Sequence, residues 1–267
     1  METPRVDRWW RRVGPWVGIG TSPAALMTGG GLAAGLHGPR LAICLLAGAV
    51  ALAALAAAQG IVGQRSGRSL VAVLERPLGT AGARYVAGAV MAAMMLGWFG
   101  VNSDAAGTAA ARLAGVDPWL GIVAFTLFAL VVTVRGIGSL STAAVVAGAA
   151  TAVLVVWSLL IVAGRDGAGW GSASTVEHPG SLLHGIGLMV GYGAAFALRA
   201  PDFTRDLGRP GDVVRCAAWG LALPLTLFGA VGAAVYVVTG AWNVADMWTR
   251  LGSDRIGYII IAIGFLG

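Results

Sequence analysis

Residues 85–106 are a continuous apolar run whose one charged residue is Asp104, and about 20 such residues are what a helix needs to cross the hydrocarbon core of a bilayer. In lipid the backbone must satisfy its own N–H and C=O groups, so a run of this kind folds as a helix. Near its middle stands Gly97-Trp98-Phe99-Gly100-Val101-Asn102. Trp98 and Asn102 are one turn apart at i and i+4 and project in nearly the same direction, and Met95 and Met91 extend that face. Tryptophan in a spanning helix normally collects at the interfaces. At mid-depth Trp98 calls for a partner: a flat ligand stacked on its ring, or the neighbouring glycines packed against it.

The pattern recurs. Apolar segments occupy about 13–35, 41–62, 118–134, 140–162, 182 onward and 216–239. With 57% hydrophobic and 11% charged residues and a mean hydropathy of +0.80, the chain is too oily for a soluble domain and reads as an all-α polytopic membrane protein. The net charge of +6 rests on 18 basic residues, all arginine. They sit in short loops, where they report topology rather than a nucleic-acid partner. Cys44 and Cys216 lie within or at the edge of apolar segments, the setting of small buried residues without a disulfide. His37, His178 and His184 lack ligand spacing, so no zinc, haem or other cofactor is expected. No segment gathers His, Asp, Glu and Ser at catalytic spacing, which argues against an enzyme.

Residues 1–12 form a charged segment with Arg5, Arg8, Arg11 and Arg12, and Trp9, Trp10 and Trp16 supply rings suited to the headgroup region. The glycine-rich segment that follows is too long for a signal peptide and reads as an uncleaved first helix. It is interrupted at Gly18-Ile19-Gly20-Thr21-Ser22-Pro23, with Thr28-Gly29-Gly30-Gly31 one turn later. Pro23 removes a donor and disfavours helical geometry at Ser22. Unwound backbone inside a membrane is tolerated where protein buries it or where it lines a cavity, and its freed carbonyls can bind a cation; a proline kink among close-packed glycines is the alternative. A basic loop covers 64–84, with Arg65, Arg68, Arg76 and Arg84, the fourth segment ends at Arg135-Gly136, and a polar, glycine-rich loop covers 164–180. The sixth segment is expected to be interrupted at Gly185-Ile186-Gly187 and Gly191-Tyr192-Gly193 and closes into Ala200-Pro201-Asp202-Phe203-Thr204-Arg205. A loop with Trp242 and Trp248 covers 241–255, and the twelve residues 256–267 are too few to span and read as a truncated eighth helix.

Interruptions at corresponding places in two halves of a membrane chain point to an inverted-repeat transporter with a midplane site. On that reading residues 13–163 are a first five-helix repeat. Residues 164–267 open the second with a broken helix 6, helix 7 and part of helix 8. With the N-terminus in the cytoplasm, thirteen arginines lie inside and five outside, the bias of a multi-pass protein of a cell inner or plasma membrane.

Thr28-Gly29-Gly30, Gly63-Gln64-Arg65-Ser66-Gly67-Arg68, Gly97-Trp98-Phe99-Gly100-Val101-Asn102 and Ala200-Pro201-Asp202-Phe203-Thr204-Arg205, in this order, resemble the cytosine/purine permeases of the nucleobase:cation symporter-1 family. The resemblance covers about residues 13–267. It implies a leucine-transporter-like inverted-repeat fold, truncated here within helix 8, and secondary active import of a nucleobase or related planar N-heterocycle with Na+ or H+ as the coupling ion. It places the family's stacking tryptophan on Trp98, the substrate contact of helix 1 on Ser22, the far wall of the pocket on Tyr192 and Gly193, and the sodium-binding carbonyls on Gly18 and Thr21. The helix 8 hydroxyls that complete that sodium site fall beyond Gly267. Cytosine permeases carry glutamine where this chain has Met95. The hydrogen bonds to the ring edge then fall to Asn102, helix 6 or helix 8, or the ring is a hydroxymethylpyrimidine, allantoin or hydantoin. A non-transporting membrane protein is the remaining alternative. Asp104, about 120° around the helix from Trp98 and near its outer end, is expected at the interface. Asp202 and Arg205 are expected to anchor a loop or serve as a gate, and His184 to pack or to sit at the interface.

Overall fold

The computed structural model describes residues 8–134, 137–164, 180–252 and 255–265. The Arg135-Gly136 turn, residues 165–179 of the polar loop, His178 and Arg5 lie outside them. Among the described residues no strand forms. The helices are α1 (Trp9–Arg12), α2 (Gly14–Gly20), α3 (Pro23–Ala33), α4 (Gly38–Ser66), α5 (Leu70–Ala81), α6 (Gly88–Ala114), α7 (Pro118–Val134), α8 (Ile137–Ala163), α9 (Leu182–Leu198), α10 (Ala200–Thr204), α11 (Pro210–Arg215), α12 (Leu223–Thr239), α13 (Val244–Arg250) and α14 (Arg255–Gly264). Two wider π-helical stretches, Gly82–Ala87 and Cys216–Ala222, join α5 to α6 and α11 to α12. Among the described residues four continuous helical stretches are long and apolar enough to cross a membrane, Gly38–Ser66, Leu70–Ala114, Val146–Ala163 and Pro210–Thr239, and Pro118–Val134 and Leu182–Leu198 are shorter apolar helices.

The first segment is broken where proline requires it. α2 stops at Gly20, Ser22 is extended at φ −61° and ψ 146°, and α3 starts on Pro23. Ser22 caps α3 by accepting from the Ala24 N–H at 3.3 Å, and proline suits the first helical position because its missing N–H would have no intrahelical partner there. The sixth segment corrects the sequence expectation: α9 is one unbroken helix from Leu182 to Leu198. Its glycines serve packing. Gly185 lies against Cys44 and Leu36, and Gly193 against Leu52, with no room for a Cβ. Without a proline, a helix in lipid has no reason to give up its hydrogen bonds. The basic loop contains α5, which bends at Gly79 (φ 69°), two residues after Pro77. The 241–255 loop contains α13, capped by the Asn243 side chain at 2.9 Å. Trp16 is fully buried rather than at the headgroups.

The chain forms two compact units, and α4, α6, α9 and α12 supply residues to both. The first unit comprises residues 1–20, 46–98 and 186–226. There Thr204 donates to the Gly60 carbonyl at 2.7 Å, Pro201 sits on Gly63, and Asp202 accepts from the Leu70 N–H at 2.8 Å. Asp202 thus caps α5 from 132 residues away, and the local N-cap Ser69 makes no side-chain cap bond. Trp16 packs edge-on to Phe196, and Phe196 stacks on Phe203. Arg12 pairs with Asp206 at 3.1 Å.

The second unit comprises residues 21–45, 99–185 and 227–267. Backbone meets backbone where α3 crosses α12: Gly29 lies on the Gly229 carbonyl, and Gly232 on the Leu26 carbonyl. Gly107 makes the same kind of approach to Gly121 and Ile122 between α6 and α7. Small residues permit this proximity, and van der Waals packing of this kind is what holds helices together in lipid. α13 rests on the unit through Met247 against Gly30, Trp248 edge-on to Trp157, and Asp246 paired with Arg112.

Candidate functional site

The first unit gathers three of the expected features around the end of α2. α2 ends ahead of the break, and the last carbonyls of a helix lack intrahelical donors. Tyr192, on α9, donates its hydroxyl to one of them, the Ile19 carbonyl. Trp98, on α6, stands edge-to-face with the Tyr192 ring, with centroids 5.3 Å apart and planes at 85°. The indole is half-buried and Tyr192 is buried. An edge-to-face contact sets the positive edge of one ring against the negative face of the other. Met95, also half-buried, lies one turn before Trp98 on the same helix.

The other sequence-predicted residues divide as follows. Gly18 is exposed in the last turn of α2, with open space where a Cβ would be. Gly193, next to Tyr192, is committed to Leu52. In the second unit, Thr21 opens the break and Ser22 caps α3. Asn102, one turn beyond Trp98 along α6, is half-buried, with its Oδ1 buried and without a hydrogen-bond partner. The adjacent Ser103 is buried with an unpartnered hydroxyl. Asp104 is exposed, as its place on the helix predicts. His184 is exposed too, which of its two expected places, packing or the interface, leaves the interface. Asp202 is an anchor, bonded to the Leu70 N–H and to Arg199 at 3.4 Å.

The residue sequence reasoning missed is Ile19, whose role belongs to its carbonyl. Its partner is 173 residues away, and nothing in the local sequence pairs them. The arrangement offers an aromatic pair fixed to a helix terminus, with a half-buried indole and a neighbouring thioether. Such a site suits recognition of a planar ring.

A family model described as permease for cytosine/purines, uracil, thiamine, allantoin matches residues 2–267. The chain belongs to this permease family. Two solved structures of Mhp1, a nucleobase-cation-symport-1 family transporter, share its fold. One, in a closed conformation with bromovinylhydantoin bound, is 18% identical with a TM-score of 0.81, covering 98% of this chain and 63% of that one. The other, inward facing, is 18% identical with a TM-score of 0.83, covering 100% of this chain and 66% of that one. This permease-family chain thus has a leucine-transporter-like fold and spans under two thirds of the length of the Mhp1 chains. No curated protein matches it. It is a multi-pass membrane protein, as its family and its apolar helices together require.

Proposed function

We propose that the protein is a secondary active transporter that imports a nucleobase or related planar N-heterocycle by cation symport with alternating access. One observation carries the reading: a half-buried indole in mid-helix, Trp98, braced edge-on by a tyrosine that is tied to the terminal carbonyl of a broken helix. A planar base has two apolar faces, and stacking one on an aromatic side chain is worth about 1–3 kcal/mol. Tyr192 fixes the indole so that the ligand does not have to order it, which is how pre-organisation adds affinity. Ring-edge polar groups need partners, since an unmade hydrogen bond in a dry site costs about 1–3 kcal/mol. Asn102, one turn along α6, offers the amide that Met95 lacks, and Ser22 completes the proposed substrate contacts, while Gly193, packed on Leu52, is left out of them. The coupling ion, Na+ or H+, is a co-substrate; for Na+ the carbonyls of Gly18 and Thr21 at the break are the proposed ligands, hard oxygens of the kind such a cation prefers.

The test is uptake of radiolabelled heterocycle by proteoliposomes carrying the full chain, with and without Na+. Trp98→Ala is expected to abolish uptake and Asp104→Asn to leave most of it. Full uptake in the tryptophan variant would reject the stacking site. Met95 favours a second reading, a hydantoin, allantoin or hydroxymethylpyrimidine ring in place of cytosine or a purine. A thermal-shift panel of these ligands separates the two: stabilisation by cytosine equal to that by hydantoins would remove the ground for the second.

A further inference from the structure

The last turn of α4 and the segment between α4 and α6 together carry four arginines, Arg65, Arg68, Arg76 and Arg84, against one acid, Glu75, and the substrate reading above uses none of them. α6 alone, at 27 residues, is about 40 Å long, enough to cross the hydrocarbon core of about 30 Å. α5 is therefore not needed for the crossing. The chain bends at Gly79, where φ is 69°, and α5 lies within a few residues of the ends of two apolar helices.

One side of α5 is mainly apolar, with Glu75 beside Val71 and Leu78 on it. Val71, Leu74 and Leu78 recur at i, i+3 and i+7 on one side, and Val71 and Leu78 are exposed. Arg76 is exposed and lies on the opposite side of the helix. Tyr85, 69% exposed, follows in the π-helical stretch with the Arg84 guanidinium 5.8 Å from its ring centroid. Among the described residues Arg65, Arg68, Arg76 and Arg84 have no carboxylate partner; Arg68 reaches only the Ala72 carbonyl, at 3.4 Å. The rigid anchor is at the N-terminal end, where Asp202 holds the Leu70 N–H.

We propose that residues 65–86 are a binding site for anionic phospholipid headgroups, with α5 lying in the interface, its Val71 and Leu78 face in the acyl boundary, and Arg76 of α5 with the flanking Arg65, Arg68 and Arg84 on lipid phosphates. An apolar face, a cationic face and an interfacial tyrosine are the components of an in-plane amphipathic helix. A cluster of four arginines beside a spanning helix is enough to select anionic lipid. Guanidinium groups pair with a phosphodiester through two parallel donors, and the preference for phosphatidylglycerol over phosphatidylcholine comes from net charge, since the choline cation of the latter neutralises its phosphate and repels the arginines.

The experiment supplies purified full-length chain in micelles with equal amounts of phosphatidylglycerol and phosphatidylcholine, repurifies it, and quantifies the co-purifying lipid by mass spectrometry. Wild type is expected to retain phosphatidylglycerol preferentially, and Arg76→Gln/Arg84→Gln to lower the ratio about 30-fold at about 1 kcal/mol per arginine. An unchanged ratio in the double variant overturns the proposal. Wild type alone gives a second reading: raising NaCl from about 0.1 to about 1 M shortens the Debye length from about 10 to about 3 Å and is expected to erase the preference. A preference indifferent to salt also overturns it, as does retention of phosphatidylglycerol that millimolar inorganic phosphate abolishes.

Discussion

Tyr192 does two jobs at once, and they separate by substitution. Its ring meets Trp98 and its hydroxyl holds the Ile19 carbonyl. An aromatic pair of this kind contributes about 0.5–1.5 kcal/mol beyond its buried area. Leaving a carbonyl without its donor costs about 1–3 kcal/mol where water is excluded. Tyr192→Phe keeps the first and loses the second. The expected outcome is a fall in unfolding free energy of about 1–3 kcal/mol, read from thermal denaturation in detergent, together with weaker binding of the heterocycle as the α2 terminus loosens. A variant as stable as wild type, with the same affinity, would show that the phenol bond braces nothing.

Glycines distributed through the helices carry opposite meanings according to what faces them. Gly29 in α3 has the Gly229 carbonyl where a Cβ would go, and Gly187 in α9 has open space. Gly29→Val therefore drives a side chain into backbone that has no rotamer to yield, and overpacking costs about 1–3 kcal/mol even where side chains can move. Expression and thermal stability are expected to collapse in Gly29→Val and to stay at wild-type level in Gly187→Ala; equal stability of the two would refute the backbone crossing. The same distinction explains what the sequence disclosed. The break in the first segment was legible because Pro23 has a local, one-sided effect on hydrogen bonding. α7, Pro118–Val134, was legible because proline starts it and Arg135-Gly136 follows it in the sequence. Glycine pairs in α9 looked like the same signal, but Gly185 and Gly193 answer to Cys44 and Leu52, partners far along the chain. α5 and α13 were hidden for a related reason: one is capped by Asp202 from 132 residues away, the other held by Trp157 and Arg112. The candidate site divides likewise: Trp98 stood out by its depth in an apolar run, whereas its contact with Tyr192 and the role of Ile19 depend on the folded chain.

For the molecule as a whole, the family and its fold are established, and the direction in which the chain threads the bilayer is the next quantity to fix. Arginine is costly to translocate across a membrane, and short loops rich in it stay on the cytoplasmic side. The first unit holds the segments richest in it: Arg65 ends α4 and Arg68 follows it, and Arg205 and Arg209 lie between α10 and α11, which ends at Arg215. Pairs such as Arg12 with Asp206 and Arg215 with Asp212, at 3.1 and 3.0 Å, are surface-exposed and worth at most about 1 kcal/mol each, so folding stability does not account for the clustering. Topology does. The native thiols are buried, so cysteines introduced as Arg68→Cys and Arg209→Cys report their side of the membrane against a low background. Both are expected to resist a membrane-impermeant maleimide added to intact cells and to react once the membrane is permeabilised, with wild type unlabelled throughout. Labelling of either position in intact cells would reverse the orientation, and with it the side from which a heterocycle first reaches Trp98.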